Sequence, residues 1–203
     1  MSLIAALSSE ALAILDSFGG TDTVDEERVL ARSAHRGDRD AFTKLVRRTQ
    51  GPVFGLCYRL MGDRDSAGDA AQETFARAFA ALASFDPEQR FDLWVMRIAR
   101  NHCYDLLRRK GYQPEPDDEA TMAAVDTGPS AHDKLEAAET SRDLESAMEK
   151  LSPKDREVLA LYYVQRRKTK EIALIQGCAP GTVMARLFRA RERLRKLLVE
   201  TPA

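Results

Sequence analysis

The 203-residue chain is short of the groups on which catalysis, metal binding and membrane insertion are built. Its three cysteines, Cys57, Cys103 and Cys178, are odd in number and far apart in sequence, with no CxxC, so neither a disulfide framework nor a zinc site is supported and ordinary buried thiols are expected. The three histidines, His35, His102 and His132, form no HxxxH or HExxH pattern. GxGxxG, GxxxxGK[ST] and GxSxG are all missing, which removes the usual phosphate cradles and the nucleophile elbow and leaves no argument for an enzyme, a metal or a cofactor. No apolar run reaches the roughly 18 residues that a membrane span needs. The amino end, MSLIAALSSEALAILDSF, lacks the positive segment of a signal peptide. A cytoplasmic protein without membrane insertion is the expectation.

What is present is charge, unevenly placed. Charged residues make up 31% of the chain and the formal net charge is only -1. Residues 1–24 carry 3 acids and no Lys or Arg, and residues 25–110 carry 16 basic and 13 acidic side chains. Residues 111–150 carry 3 basic and 11 acidic side chains, whereas 151–203 carry 12 basic and 5 acidic ones. A basic end is thus balanced by an acidic middle, which bears on partners rather than on fold.

From about Glu26 apolar residues recur every three or four positions and no stretch alternates as a strand would, so the chain reads as all-α. Asp38 and Asp63 stand where helix N-caps belong, before AFTKLVRRTQGPVFGLCYRLM and SAGDAAQETFARAFAAL. A third run, RFDLWVMRIARNHCYDLLRR, follows the turn-like DPEQ at 86–89, and together the three make a helical domain over 25–110. Residues 111–130 hold three prolines, two glycines, five acids and no Lys or Arg, the composition of a flexible acidic linker, placed at 111–132. A second small helical domain occupies 133–203, with Ser152 as cap and Pro153 at the first helical position. Residues 1–24 leave two readings open, a short amphipathic helix through Leu3, Leu7, Ala11 and Leu15, or disorder.

KTKEIALIQGCAPGTVMARLFRARERL has the grammar of a helix-turn-helix: a short helix with Ile172, Ala173 and Ile175, Gly177 for a left-handed residue, and a second helix from about Pro180. Val183, Leu187, Ala190 and Leu194 define its buried stripe. Thr182, Met184, Ala185, Arg186, Arg189, Arg193 and Lys196 are then expected to project away from it. Charge runs are usually solvated faces, but a cationic face on the second helix of a Gly-turn pair favours DNA binding.

Two halves of the chain, between about Glu26 and Leu198, resemble the extracytoplasmic-function sigma factors of bacteria. DSAGDAAQETFARAF (65–79) and FDLWVMRIARNHCYDLLRR (91–109) are similar to the family's region 2. LSPKDREVLALYYV (151–164), KEIA (170–173) and GTVMARLFRARERL (181–194) are similar to region 4. The resemblance implies a promoter-specificity subunit whose partners are core RNA polymerase, promoter DNA and an anti-sigma factor, and which is monomeric when free. It places core-polymerase binding on Asp65, Asp69, Gln72 and Glu73, an acidic and amide-bearing face suited to an Arg-rich partner. It places recognition and melting of the minus-10 element on the loop from Asp86 to Arg90, on Asn101, whose amide can donate and accept toward a base edge, and on Arg97, Arg100, Arg108 and Arg109 as phosphate contacts. Trp94 is read as a core residue among Phe91, Leu93 and Ile98. Minus-35 recognition falls to Thr182, Met184, Ala185, Arg186, Arg189 and Arg193, with Arg186 expected to carry an unusually large share. By the same resemblance the acidic linker would thread polymerase channels built for nucleic acid.

The chain departs from the family pattern in places. Gly68 stands where an acidic residue is usual, Ala179 replaces Ser or Pro, Met184-Ala185 replaces a Lys or Arg followed by Ser, and Arg166-Arg167-Lys168 fills a turn where Gly is common. From the residues alone a second reading stays open, a helix-turn-helix transcriptional regulator whose first domain senses or dimerises. A helical adaptor that binds only protein is a third.

Overall fold

The computed structural model describes residues 22–113 and 141–199. The amino-terminal extension to residue 21, the linker from 114 and the first residues of the expected second domain, 133–140, lie outside the described residues. Among those described, every regular element is helical, and the chain divides into two compact units.

The first unit is built from α1 (Asp22–His35), α2 (Arg39–Met61), α3 (Arg64–Ala80) and α4 (Phe91–Arg109). Its first helix begins at Asp22, ahead of where apolar periodicity starts, because a polar opening turn leaves no apolar signal. Both N-caps stand where they were expected: the Asp38 carboxylate accepts from the amides of Asp40 and Ala41, at 2.9 and 3.0 Å, and that of Asp63 from Ser66 at 2.7 Å. Gly62, in the left-handed region at φ 84°, ends α2 and donates to the Tyr58 carbonyl. A side chain there would have to adopt a conformation that only Gly enters freely.

The core of this unit comes from Leu45, Val53, Leu56 and Leu60 of α2 and Phe91, Val95, Met96 and Ala99 of α4, all essentially fully buried. Against them the residues that α3 buries are all small, Ala67, Ala70, Ala71, Thr74 and Ala78, while the half-exposed Phe79 meets Phe42 of α2 edge-on at 5.2 Å. The hydroxyl of Thr74 turns back onto the Ala70 carbonyl at 2.7 Å, so the seam stays satisfied. Cys57 and Cys103, 46 positions apart in sequence, are brought together as α2 packs on α4. The neighbouring Cys103 thiol, together with burial, pushes the Cys57 thiol far above its usual range.

In the second half, α5 (Ser141–Lys150) and α6 (Pro153–Leu159) pack on α8 (Pro180–Val199), with the short α7 (Thr169–Gln176) between them in sequence. Ser152 caps α6, accepting from the Asp155 amide at 3.2 Å, with Pro153 at the first helical position as expected. The chain leaves α6 through a five-residue π turn, Ala160–Val164, and Arg166 enters the left-handed region at φ 51°, a conformation costing about 1–2 kcal/mol for a residue with a Cβ. Gly177, at φ 66°, ends α7, and the next amide, of Cys178, bonds the Ala173 carbonyl at 3.1 Å. The buried stripe of α8 is Val183, Leu187, Ala190 and Leu194, the set expected from spacing, but Arg186 joins it.

Gly68 gives a direct test of α3. A Cβ built there meets nothing within 4 Å, and its backbone is helical. Gly68→Ala should therefore stabilise the chain by about 0.5–1 kcal/mol through lower backbone entropy in the unfolded state. Urea denaturation of wild type and variant checks this: an unchanged midpoint would mean that α3 is not a continuous helix at that position.

Candidate nucleic-acid interface

The side of α3 opposite its alanine seam carries Asp65, Asp69, Gln72 and Glu73, all exposed. Asp63 and Glu73 both titrate below the usual carboxylate range, Asp63 through the Ser66 amide and Glu73 through Arg77, whose Nε donates to it at 2.8 Å. Both of these carboxylates are therefore ionised at neutral pH. Gly68 falls inside it and supplies neither charge nor bulk.

Between α3 and α4 the Asp86–Arg90 loop is organised by its own first residue. One oxygen of Asp86 accepts from the Glu88 amide at 3.0 Å, and the other from the Gln89 side chain at 3.3 Å. Glu88 is held in turn by Arg32 of α1, at 2.7 Å. Arg90 does not hang free over this loop. Its guanidinium forks onto Asp92, Nε to one oxygen at 3.0 Å and Nη2 to the other at 2.7 Å. Glu27 of α1 accepts from the Asp92 amide at 3.3 Å, completing a small network at the start of α4. Trp94, read from sequence as a core residue, packs its ring 4.6 Å from Phe85 and 5.6 Å from Phe91 but is only half-buried.

Along α4, Arg97, Arg100, Asn101, Tyr104 and Arg108 recur at three- and four-residue steps and share one face. Arg97, Asn101 and Arg108 are exposed, and the Asn101 amide has no hydrogen-bond partner among the described residues. Arg100 lies over the Tyr104 ring at 4.5 Å, which fixes its guanidinium plane, and Arg108 pairs with Asp105. Arg109 is exposed but leaves this face by about a third of a turn.

On α8 the expectation for Arg186 needs correction. It does not project outward: it is 8% exposed and its Nη1 donates to the Cys178 sulfur at 3.4 Å. Position 186 lies three residues after Val183 and four before Ala190, on the flank of the stripe, so the helix rotation that buries the apolar residues carries Arg186 inward with them. Arg193 is also engaged, with Nη1 2.7 Å from the buried Asp155 of α6, which accepts from Ser152 Oγ as well. Arg191 lies 5.5 Å from both Tyr162 and Tyr163, and Arg195 pairs with Glu192 at 3.1 Å. Arg189 and Lys196 are the α8 cations with no ion pair or hydrogen bond among the described residues. Full burial of one Leu or Val contributes about 1.5–3 kcal/mol, whereas a half-exposed ion pair contributes about 0–1 kcal/mol. The apolar stripe, not Arg193–Asp155, therefore sets the rotation of α8.

Thr182 and Ala185 are half-buried, and Met184 is 40% exposed. Phe188, which the sequence reading passed over, is 51% exposed. The signal was available: it falls outside the 183, 187, 190, 194 stripe.

These two surfaces sit in segments that match known families. Residues 45–112 match the sigma-70 region 2 family and residues 141–194 match sigma-70 region 4. The chain is 33% identical over 82% of its length to the ECF RNA polymerase sigma factor SigW of Bacillus subtilis, covering 94% of that protein. It is 32% identical over 87% of its length to the RNA polymerase sigma-H factor of Pseudomonas aeruginosa, covering 95% of that one. Among solved structures, it is similar to CnrH in complex with the cytosolic domain of CnrY, with a TM-score of 0.61 and 29% identity, covering 86% of this chain and 99% of that one. A second is the sigma factor RpoE with the anti-sigma factor NepR from Bartonella quintana, at TM-score 0.58 and 25% identity, covering 79% of this chain and 98% of that one. The chain belongs to the extracytoplasmic-function sigma factors, proteins of transcription initiation. As a sigma factor its partners are core RNA polymerase and promoter DNA.

Two expected outcomes test this geometry. Burial, and then the nearby Asp92 carboxylate, raise the Glu27 carboxyl above its ordinary value of 4.5. A raised folded-state value means that the fold favours neutral Glu27: that contribution is complete below pH 4.5 and is lost as pH rises through the folded value. Glu27→Gln, which keeps an acceptor for the Asp92 amide, should raise Tm at pH 7.5, with the advantage narrowing as pH falls toward 4.5; a constant difference across that range would overturn the assignment. Arg186→Ala should lower stability by about 1–3 kcal/mol, through lost packing and an orphaned internal contact. Denaturant titration checks it, and a variant as stable as wild type would place Arg186 at the surface after all.

Proposed function

We propose that residues 25–110 act as region 2 and residues 133–203 as region 4, joined by the acidic linker 111–132, with 1–24 as an extension of the minimal family form. The face of Asp65, Asp69, Gln72 and Glu73 docks on core polymerase. The Asp86–Arg90 loop and the Arg97, Arg100, Asn101, Arg108 face of α4 engage the minus-10 element, Asn101 holding a base that has left the stack while the arginines neutralise phosphates. Arg109 serves phosphate off the edge of that face. Thr182, Met184, Ala185 and Arg189 on α8 meet the minus-35 element, with Arg193 held by Asp155 at its margin and Arg186 supporting the helix from within. The chain performs no chemistry of its own, works in the bacterial cytoplasm as a monomer when free, and is controlled by an anti-sigma factor.

The observation that carries this reading is the pairing of an acidic, outward face on the alanine-backed α3 with a separate basic, aromatic-supported face on α4. Complementary potentials of that kind give partner choice and register. A purified transcription assay separates this from a helix-turn-helix regulator. The chain added to core enzyme alone should direct initiation from a cognate promoter, whereas a regulator needs a holoenzyme already present. Asp69→Arg with Glu73→Arg should abolish co-purification with core polymerase while helical content stays at the wild-type level. Normal co-purification of the folded double variant would overturn the docking assignment.

A further inference from the structure

The outward edge of α8 is less cationic than its sequence. Met184 and Phe188, one turn apart, are the large apolar side chains exposed in the amino-terminal half of the helix, at 40% and 51%. Ala185 lies beside them, and Arg189, without an ion pair, is their cationic neighbour. Arg186, which would have supplied charge here, is turned inward onto Cys178, and Arg193 is held by Asp155.

An exposed apolar pair on a polar helix needs an occupant. In the DNA major groove the apolar feature of a base-pair edge is the thymine 5-methyl group, and small or aromatic apolar side chains discriminate thymine by contact with it. A polyanion that offers methyl groups between phosphates matches an edge that offers Met184 and Phe188 beside Arg189. We infer that Met184 and Phe188 are specificity-determining residues that read thymine methyl groups in the upstream promoter element, so that this chain selects thymine where a Lys or Arg at position 184 would select guanine. The inference rests on the minus-35 role proposed above for α8.

The side chains are exposed, so their removal leaves the fold intact. Neither packs in the stripe that fixes the helix. Deoxyuridine in place of thymidine deletes the 5-methyl and leaves the Watson–Crick pairing and the other groove-edge groups in place, which isolates the contact from electrostatics and backbone geometry.

The test uses the full chain assembled with core polymerase and a duplex library randomised through the upstream element. Wild type should enrich at least one thymine whose replacement by deoxyuridine weakens binding about fourfold, the scale of one buried methyl. Met184→Ala with Phe188→Ala should bind the two forms alike, with the melting temperature of wild type. Met184→Leu, which keeps the apolar bulk, should retain the discrimination. Equal binding of both forms by wild type, or an enriched element without thymine, overturns the inference while leaving the promoter role intact. Enrichment of no upstream sequence overturns the minus-35 role itself, and the inference with it. Loss of discrimination only in variants that melt early overturns a contact role and makes the pair structural.

Discussion

The close approach that α3 makes to its neighbours is the constraint on which the first unit turns. A helix that buries Ala67, Ala70, Ala71, Thr74 and Ala78 brings little apolar area to the core, so close backbone contact and dispersion must hold it where larger side chains would otherwise do so. Small groups admit that contact only at one helix rotation, because the positions between them carry Asp65, Asp69, Gln72 and Glu73. The outward direction of the acidic set therefore follows from the alanines. A large apolar residue at Ala70 or Ala78 would lift the helix and disturb the acidic face without touching it.

At the other end of the same unit a carboxylate organises the approach to α4. Asp92 is buried, yet it takes the Arg90 fork, the amide of Leu93 and, through its own amide, Glu27 of α1. A buried carboxylate left unpaired would be costly, whereas one that accepts several charge-assisted or main-chain bonds is tolerated. Arg90 is consequently committed to shaping the loop. The run between α3 and α4 is tied to α1 twice, by Glu88 with Arg32 and by the Leu82 carbonyl with the His35 ring, and the start of α4 is tied to it by the Asp92 amide with Glu27.

Much of this was legible in the sequence because it is decided within a few residues. Asp38, Asp63 and Ser152 cap helices through bonds to amides two or three positions on, and Gly177 ends α7 by its own φ. The stripe of α8 followed from helical spacing. What spacing could not give was the width of the stripe, so Arg186 was read as outward when it lies on the buried flank. Nor could it reveal partners distant in sequence: Asp155 holding Arg193 from 38 positions away, or Cys57 meeting Cys103 across two helices. The assignment of the acidic face to polymerase and the basic faces to DNA came from family likeness, since an exposed charged face is, by chemistry alone, equally a solvated one.

The pairings of individual cations reshape the charge asymmetry of the carboxyl end. Residues 151–203 carry 12 basic side chains against 5 acids, which suggests an electrostatic binder. Four of the cations on α8 are engaged by partners within the chain: Arg186 by Cys178, Arg191 over two tyrosines, Arg193 by Asp155 and, at the surface, Arg195 by Glu192. A paired surface cation can still contribute to the field that steers DNA. It releases counterions less effectively than a free one, because its phosphate contact must displace an existing partner. The cations of α8 left without an ion pair among the described residues are consequently few, so the raw charge count overstates the positive charge available for direct phosphate contact. The outward edge in the amino-terminal half of α8 is the reverse of what that count suggests: charge is sparse there, and the apolar atoms of Met184 and Phe188 face the solvent.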